Sequence, residues 1–169
     1  RVTMTRNKDV DVYGPNASDR QELQARVNVG EYTPGAELFV SIHCNAFSNP
    51  ASHGMETYYY AGSPRGERIA TLVNEELEKA GGLFNRGVKT APDFTVLRRT
   101  AMPAILVETA FLDTEADFQL LVSHAAVFGH AIASAIDQFL RAHITPEGDL
   151  IFEEDEPAPS MWRYVPATI

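Results

Sequence analysis

Two polar residues close runs of strand-forming residues, and both carry chemistry. His43 follows Phe39-Val40-Ser41-Ile42, and Glu108 follows Ala104-Ile105-Leu106-Val107. Open α/β sheets bind ligands outside the carboxyl ends of their strands, so an imidazole emerging at His43 is placed to coordinate a metal ion or to shuttle protons. A carboxylate that closes an apolar strand sits in a low dielectric, which raises its pKa toward the range of a general base at neutral pH. Each residue also has a plainer reading. His43 is then a histidine satisfied by backbone groups at a strand end, and Glu108 is salt-bridged to Arg98 or Arg99, one loop away.

The other reactive side chains fit less well. Cys44 adjoins His43, but consecutive residues of a strand point to opposite faces, so a thiol and imidazole pair does not form there. It is also the single cysteine of the chain, which rules out an internal disulfide and any multi-cysteine zinc site. His53 precedes Gly54 in a polar stretch and reads as a solvated loop histidine. His124, His130 and His143 are spaced so that a helix scatters them around its circumference, and they make no metal site.

The elements that position His43 and Glu108 follow from the pattern around them. Residues 2–5 read as the end of a strand. Asn16-Ala17-Ser18 offers helix caps, and the helix that follows carries Leu23 and Val27 until Pro34-Gly35 breaks it. Residues 38–44 are almost continuously apolar and predict a strand buried on both faces, central in a largely parallel sheet. Residues 55–60 predict a second strand. Ser63-Pro64 starts a helix with Ile69, Leu72, Val73 and Leu77 at helical spacing, and Gly81-Gly82 ends it. Residues 94–97 and 104–108 read as two further short strands. A last helix is expected from about Ser123 to about His143, with Phe128, Ile132, Ile136 and Phe139 or Leu140 as its buried stripe. Strands alternating with helices predict an α/β fold, a mostly parallel or mixed twisted sheet with helices on both faces.

Residues 1–143 therefore form one domain. Residues 144–169, with Pro146, an acidic run, Pro157 and Pro159, read as an acidic proline-containing tail or linker. A chain of 169 residues, 44% apolar, suffices for one such domain with a sizeable core. Its net charge of −9 excludes a general nucleic-acid binder, which needs a basic face. The apolar runs are too short for a membrane span, which takes roughly 20 residues. Oligomeric state is not legible.

Taken together, the segments resemble the amidase-3 family of N-acetylmuramoyl-L-alanine amidases. The resemblance rests on Leu38-Phe39-Val40-Ser41-Ile42-His43-Cys44-Asn45-Ala46 followed by Gly54-Met55-Glu56-Thr57-Tyr58-Tyr59-Tyr60. It rests also on Met102-Pro103-Ala104-Ile105-Leu106-Val107-Glu108-Thr109-Ala110-Phe111-Leu112, with Thr5-Arg6 and Leu23-Gln24-Ala25-Arg26-Val27 upstream. It implies a peptidoglycan hydrolase that cleaves the amide between N-acetylmuramic acid and L-alanine with zinc-activated water. His43 matches a zinc ligand of the family and Glu108 its catalytic carboxylate. It implies peptidoglycan as the partner and a place outside the cell, in the cell wall or in the periplasm. The family's other histidine and its glutamate ligand precede the Thr5-Arg6 element. Those ligands are accordingly expected upstream of Arg1, in a segment missing from this chain, which as it stands should bind zinc weakly and be inactive. The alternative is a non-catalytic amidase-like domain that binds peptidoglycan or a protein partner. Gly30-Glu31 and Ala110 depart from the family's commoner residues, which bears on helix packing.

Overall fold

The computed structural model describes residues 1–49, 51–144 and 150–152. Its organising element is β4 (Ala104–Phe111), seven of whose eight residues are buried. A strand this apolar needs cover on both faces and on both edges. It pairs in parallel with β1 (Phe39–Asn45) and antiparallel with β2 (Met55–Tyr59), and β2 pairs in parallel with β3 (Asn85–Thr90). The four-stranded sheet therefore runs β1-β4-β2-β3, mixed in direction as expected.

Alternation along the strands divides the core in two. On one face, Met55, Ile105 and Val107 pack with Ile69, Val73 and Leu77 of α2 (Pro64–Ala80) and with Phe128, Ile132 and Phe139 of α4 (Glu115–Arg141). On the other, Phe39, Ala104 and Leu106 meet Val27 of α1 (Asp19–Tyr32) and Val96 and Leu97 of α3 (Thr95–Arg98). Each large apolar side chain so buried contributes about 1.5–3 kcal/mol. Gly30 lets α1 approach the sheet, because a Cβ there would lie 2.8 Å from the Phe39 ring. Ser18 and Gln21 form a capping box at the start of α1, and Ser63 with Pro64 at the first position opens α2, which Gly81 ends at φ +86°.

Several elements differ from the sequence reading. β1 lies at the edge of the sheet and β4 takes the centre; Ile42 is 60% exposed. An apolar run alone does not tell a central strand from an edge strand. Residues 94–97 are not a strand: the amides of Leu97 and Arg98 both donate to the Phe94 carbonyl, making a helical turn that tucks Val96 and Leu97 under the sheet. The strand in this part of the chain is β3, which has Val88 as its one strong strand former and a turn-forming Gly87 at φ +85°. Residues 2–5 form no strand.

Helix α4 begins after Thr114 rather than at Ser123, whose hydroxyl donates to the Gln119 carbonyl one turn back and so sits inside the helix. By length and composition alone α4 would cross a bilayer, but its stripe of Phe128, Ile132 and Phe139 lies in the core. The expected tail opens with a short antiparallel pair, β5 (Ala142–Ile144) with β6 (Leu150–Phe152). Residues 145–149 and 153–169 lie outside the described residues.

Candidate active site

Strand register brings the two residues singled out above together. On the β1–β4 ladder His43 is the partner of Glu108, and on the β2–β4 ladder Glu56 is the partner of the same Glu108. Partners in register project to one face. His43, Glu108 and Glu56 thus form a row across three strands, on the face that α1 and α3 cover further along. His43 and Glu108 lie in the carboxyl-terminal halves of β1 and β4, short of their ends because β1 runs on to Asn45 and β4 to Phe111, and the ladder is irregular beyond His43.

The row is electrostatically uneven. Burial, and after it the positive charge of Arg26 on α1, lowers the pKa of His43 and keeps its imidazole neutral near neutral pH. Its Nε2 lies 2.9 Å from the Ser41 hydroxyl, and its carbonyl accepts from Thr109 Oγ1 at 3.0 Å. For Glu108, burial and then the nearby Glu56 charge push the pKa up to about 7. Its Oε2 is buried and meets no hydrogen-bond partner among the described residues. The salt-bridged reading fails: Arg99 donates to Gln24 at 2.6 Å, and Arg98 lines a separate cleft with Pro103 and Ala104 at the start of β4.

Glu56 gathers the cations instead. It is 3% exposed; its Oε2 accepts from Arg86 Nε at 2.8 Å and from Lys89 Nζ, and its Oε1 from Tyr58 at 2.7 Å and Asn45 at 3.0 Å. Burial alone would raise its pKa, but the bonds from Lys89, Arg86 and Tyr58 outweigh that and hold it below the ordinary carboxylate value. The hydroxyl of Tyr58 is in turn shifted upward by burial and by its bond to Glu56. In the sequence Glu56 stands out only as part of a motif, and Arg86 and Lys89 do not stand out. The available signal was a charged residue inside an otherwise apolar and aromatic strand, which needs a buried counter-ion.

Cys44 points to the opposite face from His43; its thiol is raised by burial and by the Glu108 charge, which disfavours a thiolate. His53 lies in an exposed loop, its Nδ1 2.9 Å from the Ala51 carbonyl and its ring against Phe84. His124 and His130 are exposed on α4, and the side chain of His143 lies outside the described residues. Among the described residues no group of three or more His, Cys, Asp or Glu is placed to hold a metal ion. A catalytic zinc takes three protein ligands and keeps one open position. The cleft offers it one imidazole and one carboxylate with an unpaired oxygen, so the described residues do not by themselves fit such a site.

A mixed sheet flanked by helices recurs in solved amidases. The CwlD amidase from Clostridioides difficile, solved in complex with the GerS lipoprotein, superposes with a TM-score of 0.72 at 29% identity, covering 80% of this chain and 73% of that one. Residues 1–138 match the amidase-3 family of N-acetylmuramoyl-L-alanine amidases, and the chain belongs to that family. It is 39% identical over 116 residues to the N-acetylmuramoyl-L-alanine amidase LytC of Bacillus subtilis, covering 68% of this chain and 23% of LytC. It is 42% identical over 123 residues to the amidase CwlM of Bacillus licheniformis, covering 71% of this chain and 46% of CwlM. The chain thus spans less than half the length of these two curated relatives.

Proposed function

We propose that this domain hydrolyses the amide bond between N-acetylmuramic acid and the L-alanine of the peptidoglycan stem peptide, acting outside the cell, in the cell wall or in the periplasm. The observation that carries the reading is Glu108: a carboxyl group with an unpaired oxygen and a pKa of about 7, directly across the ladder from a neutral imidazole. Such a carboxylate accepts a proton from water at neutral pH, and the hydroxide adds to the lactyl carbonyl. The same group, now protonated, returns the proton to the departing L-alanine nitrogen as the C–N bond breaks. Support for the substrate comes from the family and from relatives named as N-acetylmuramoyl-L-alanine amidases. Those names disfavour the non-catalytic alternative.

In this reading His43 is one ligand of the zinc ion that the family resemblance implies. The unprotonated form that burial favours is the form that binds metal. The test is release of a free L-alanine amino terminus from purified muropeptides by the full-length protein, with and without Glu108→Gln. Cleavage is expected in the first and lost in the second; cleavage that persists in Glu108→Gln removes the assigned base.

A further inference from the structure

The row of charges does not end at Glu56. Arg86 and Lys89 on β3 both donate to the same oxygen of that one carboxylate, so two cations face one anion. Neutralising Glu56 takes one cation. While Glu108 holds its proton, the second leaves a local surplus of positive charge in a chain whose formal net charge is −9, and surplus charge at a cleft draws an anion. Both cations stay accessible, with Arg86 30% and Lys89 37% exposed at the side chain.

The space beside them is built. A cleft of about 280 Å³ is lined by Asn45, Phe47, Ser52, Tyr58, Arg86 and Phe111 and by Glu56 itself, the carboxylate to which Lys89 is bonded. The guanidinium lies over the Phe111 ring at 5.1 Å, and its Nε and Nη1 are held by Glu56 and by the His53 carbonyl. Among the described residues no acceptor meets Nη2, which is fixed in place and available. Asn45 is clamped in turn, donating to Glu56 and accepting from the Ala46 amide.

Distance gives the ligand's place. Strands of a sheet lie about 4.8 Å apart, so the β3 backbone is about 10 Å from Glu108 on β4, and the two cations, which reach back to Glu56 on β2, stand between about 5 Å and about 10 Å from it. An extended peptide advances about 3.5 Å per residue, so a group on the second residue beyond the cleaved bond reaches about 7 Å, within that interval. We propose that Arg86 and Lys89 form a carboxylate-binding subsite that takes the free carboxylate on the second residue of the peptide, one beyond the L-alanine. This rests on the amidase reading for the direction of the peptide, and the subsite then selects stem peptides whose second residue is an acid over those where it is amidated.

The probes are N-acetylmuramoyl-L-alanyl-γ-D-glutamyl-L-lysine and its D-isoglutaminyl counterpart, in which the γ-carboxyl is tied up in a peptide bond, so that on the second residue the two differ in the free α-carboxylate alone. In the uncleaving Glu108→Gln protein, calorimetric titration should show the acid bound about tenfold more tightly than the amide, the scale of one charge-assisted contact. Adding Lys89→Gln or Arg86→Gln should reduce the preference to about twofold or less. Lys89→Gln leaves the bond between Arg86 and Glu56 intact and serves as the control should Arg86→Gln unfold. Equal affinity for the two probes, or a preference that survives both substitutions, overturns the subsite. Cleavage of both probes with equal kcat/KM keeps the amidase reading and sinks the subsite; preferential binding without cleavage by the Glu108 enzyme does the reverse.

Discussion

Glu56 and Glu108 are direct partners on the antiparallel β2–β4 ladder, yet the cations that reach the pair both bind Glu56. Two like carboxylates facing each other would repel. The sheet resolves this by giving them different states: Glu56, bonded to Lys89, Arg86 and Tyr58, stays ionised, while Glu108, buried beside that charge, holds its proton up to about pH 7. Paired carboxyls whose surroundings separate their pKa values mark acid and base roles.

That division predicts a pH dependence of stability in the metal-free protein. Unfolded, Glu108 loses its proton near 4.5; folded, it does so near 7. Between those values the folded chain holds a proton that the unfolded chain has lost, so stability falls as pH rises from about 4.5 to about 7 and this contribution is flat above. Glu108→Gln should remove this part of the slope, read from urea midpoints across that range. In the full-length enzyme the same substitution should reduce hydrolysis by roughly a hundredfold or more, the scale of a lost general base. An unchanged slope in the variant would show that Glu108 is not the titrating group.

Glu56→Gln should act differently. It leaves Arg86 and Lys89 without a counter-ion at a position only 3% exposed. Breaking a fully buried pair costs about 3–5 kcal/mol, and the partial exposure of both cations brings the expected loss to about 2 kcal/mol. With the neighbouring charge gone, the Glu108 carboxyl should also titrate below 7, which carbon-13 NMR of the labelled side chain would follow. A Glu108 midpoint that does not move contradicts the coupling.

Zinc binding separates the two residues at the end of β1. Among the described residues His43 is the one histidine beside Glu108, and they complete no three-ligand group. Zinc titration of this chain should therefore give weak binding that His43→Ala abolishes. Cys44→Ala should leave it unchanged, because that thiol projects from the other face of the strand. Loss of zinc in the Cys44 variant would argue for a different donor set.

How much of this was legible depended on the kind of signal. Strong apolar runs with clear punctuation read well: α2 falls between Ser63-Pro64 and Gly81, and its stripe of Ile69, Leu72, Val73 and Leu77 is buried. The juxtaposition of His43 with Glu108 was approachable because both close apolar runs, and parallel pairing then sets their register. β3 was not legible, since Asn85, Arg86, Lys89 and Thr90 are polar and find their partners only in the folded sheet, Asn85 with Asn74 and the two cations with Glu56. The edge position of β1 was hidden for a related reason: pairing is non-local, and local composition carries only the strand itself.

Asp117 was equally silent in the sequence, and it carries the last prediction. It is 3% exposed in the first turn of α4, and its Oδ2 accepts from the Gly54 amide at 2.6 Å and from the Phe111 amide at 2.9 Å. These two amides flank the start of β2 and the end of β4, so one carboxylate fastens the segment leading to Glu56 against the strand carrying Glu108. Gly54 allows this contact because it sits at φ +98°, where a Cβ would fall 2.1 Å from the Phe84 carbonyl oxygen. Asp117→Ala leaves two N–H donors without their acceptor, at about 1–3 kcal/mol each when buried, less whatever water recovers. The expected loss is about 2–4 kcal/mol in guanidinium unfolding, with faster amide exchange at Gly54 and Phe111 than at the centre of α2. A loss below about 0.5 kcal/mol, the range of an ordinary surface change, would mean that another group holds this junction.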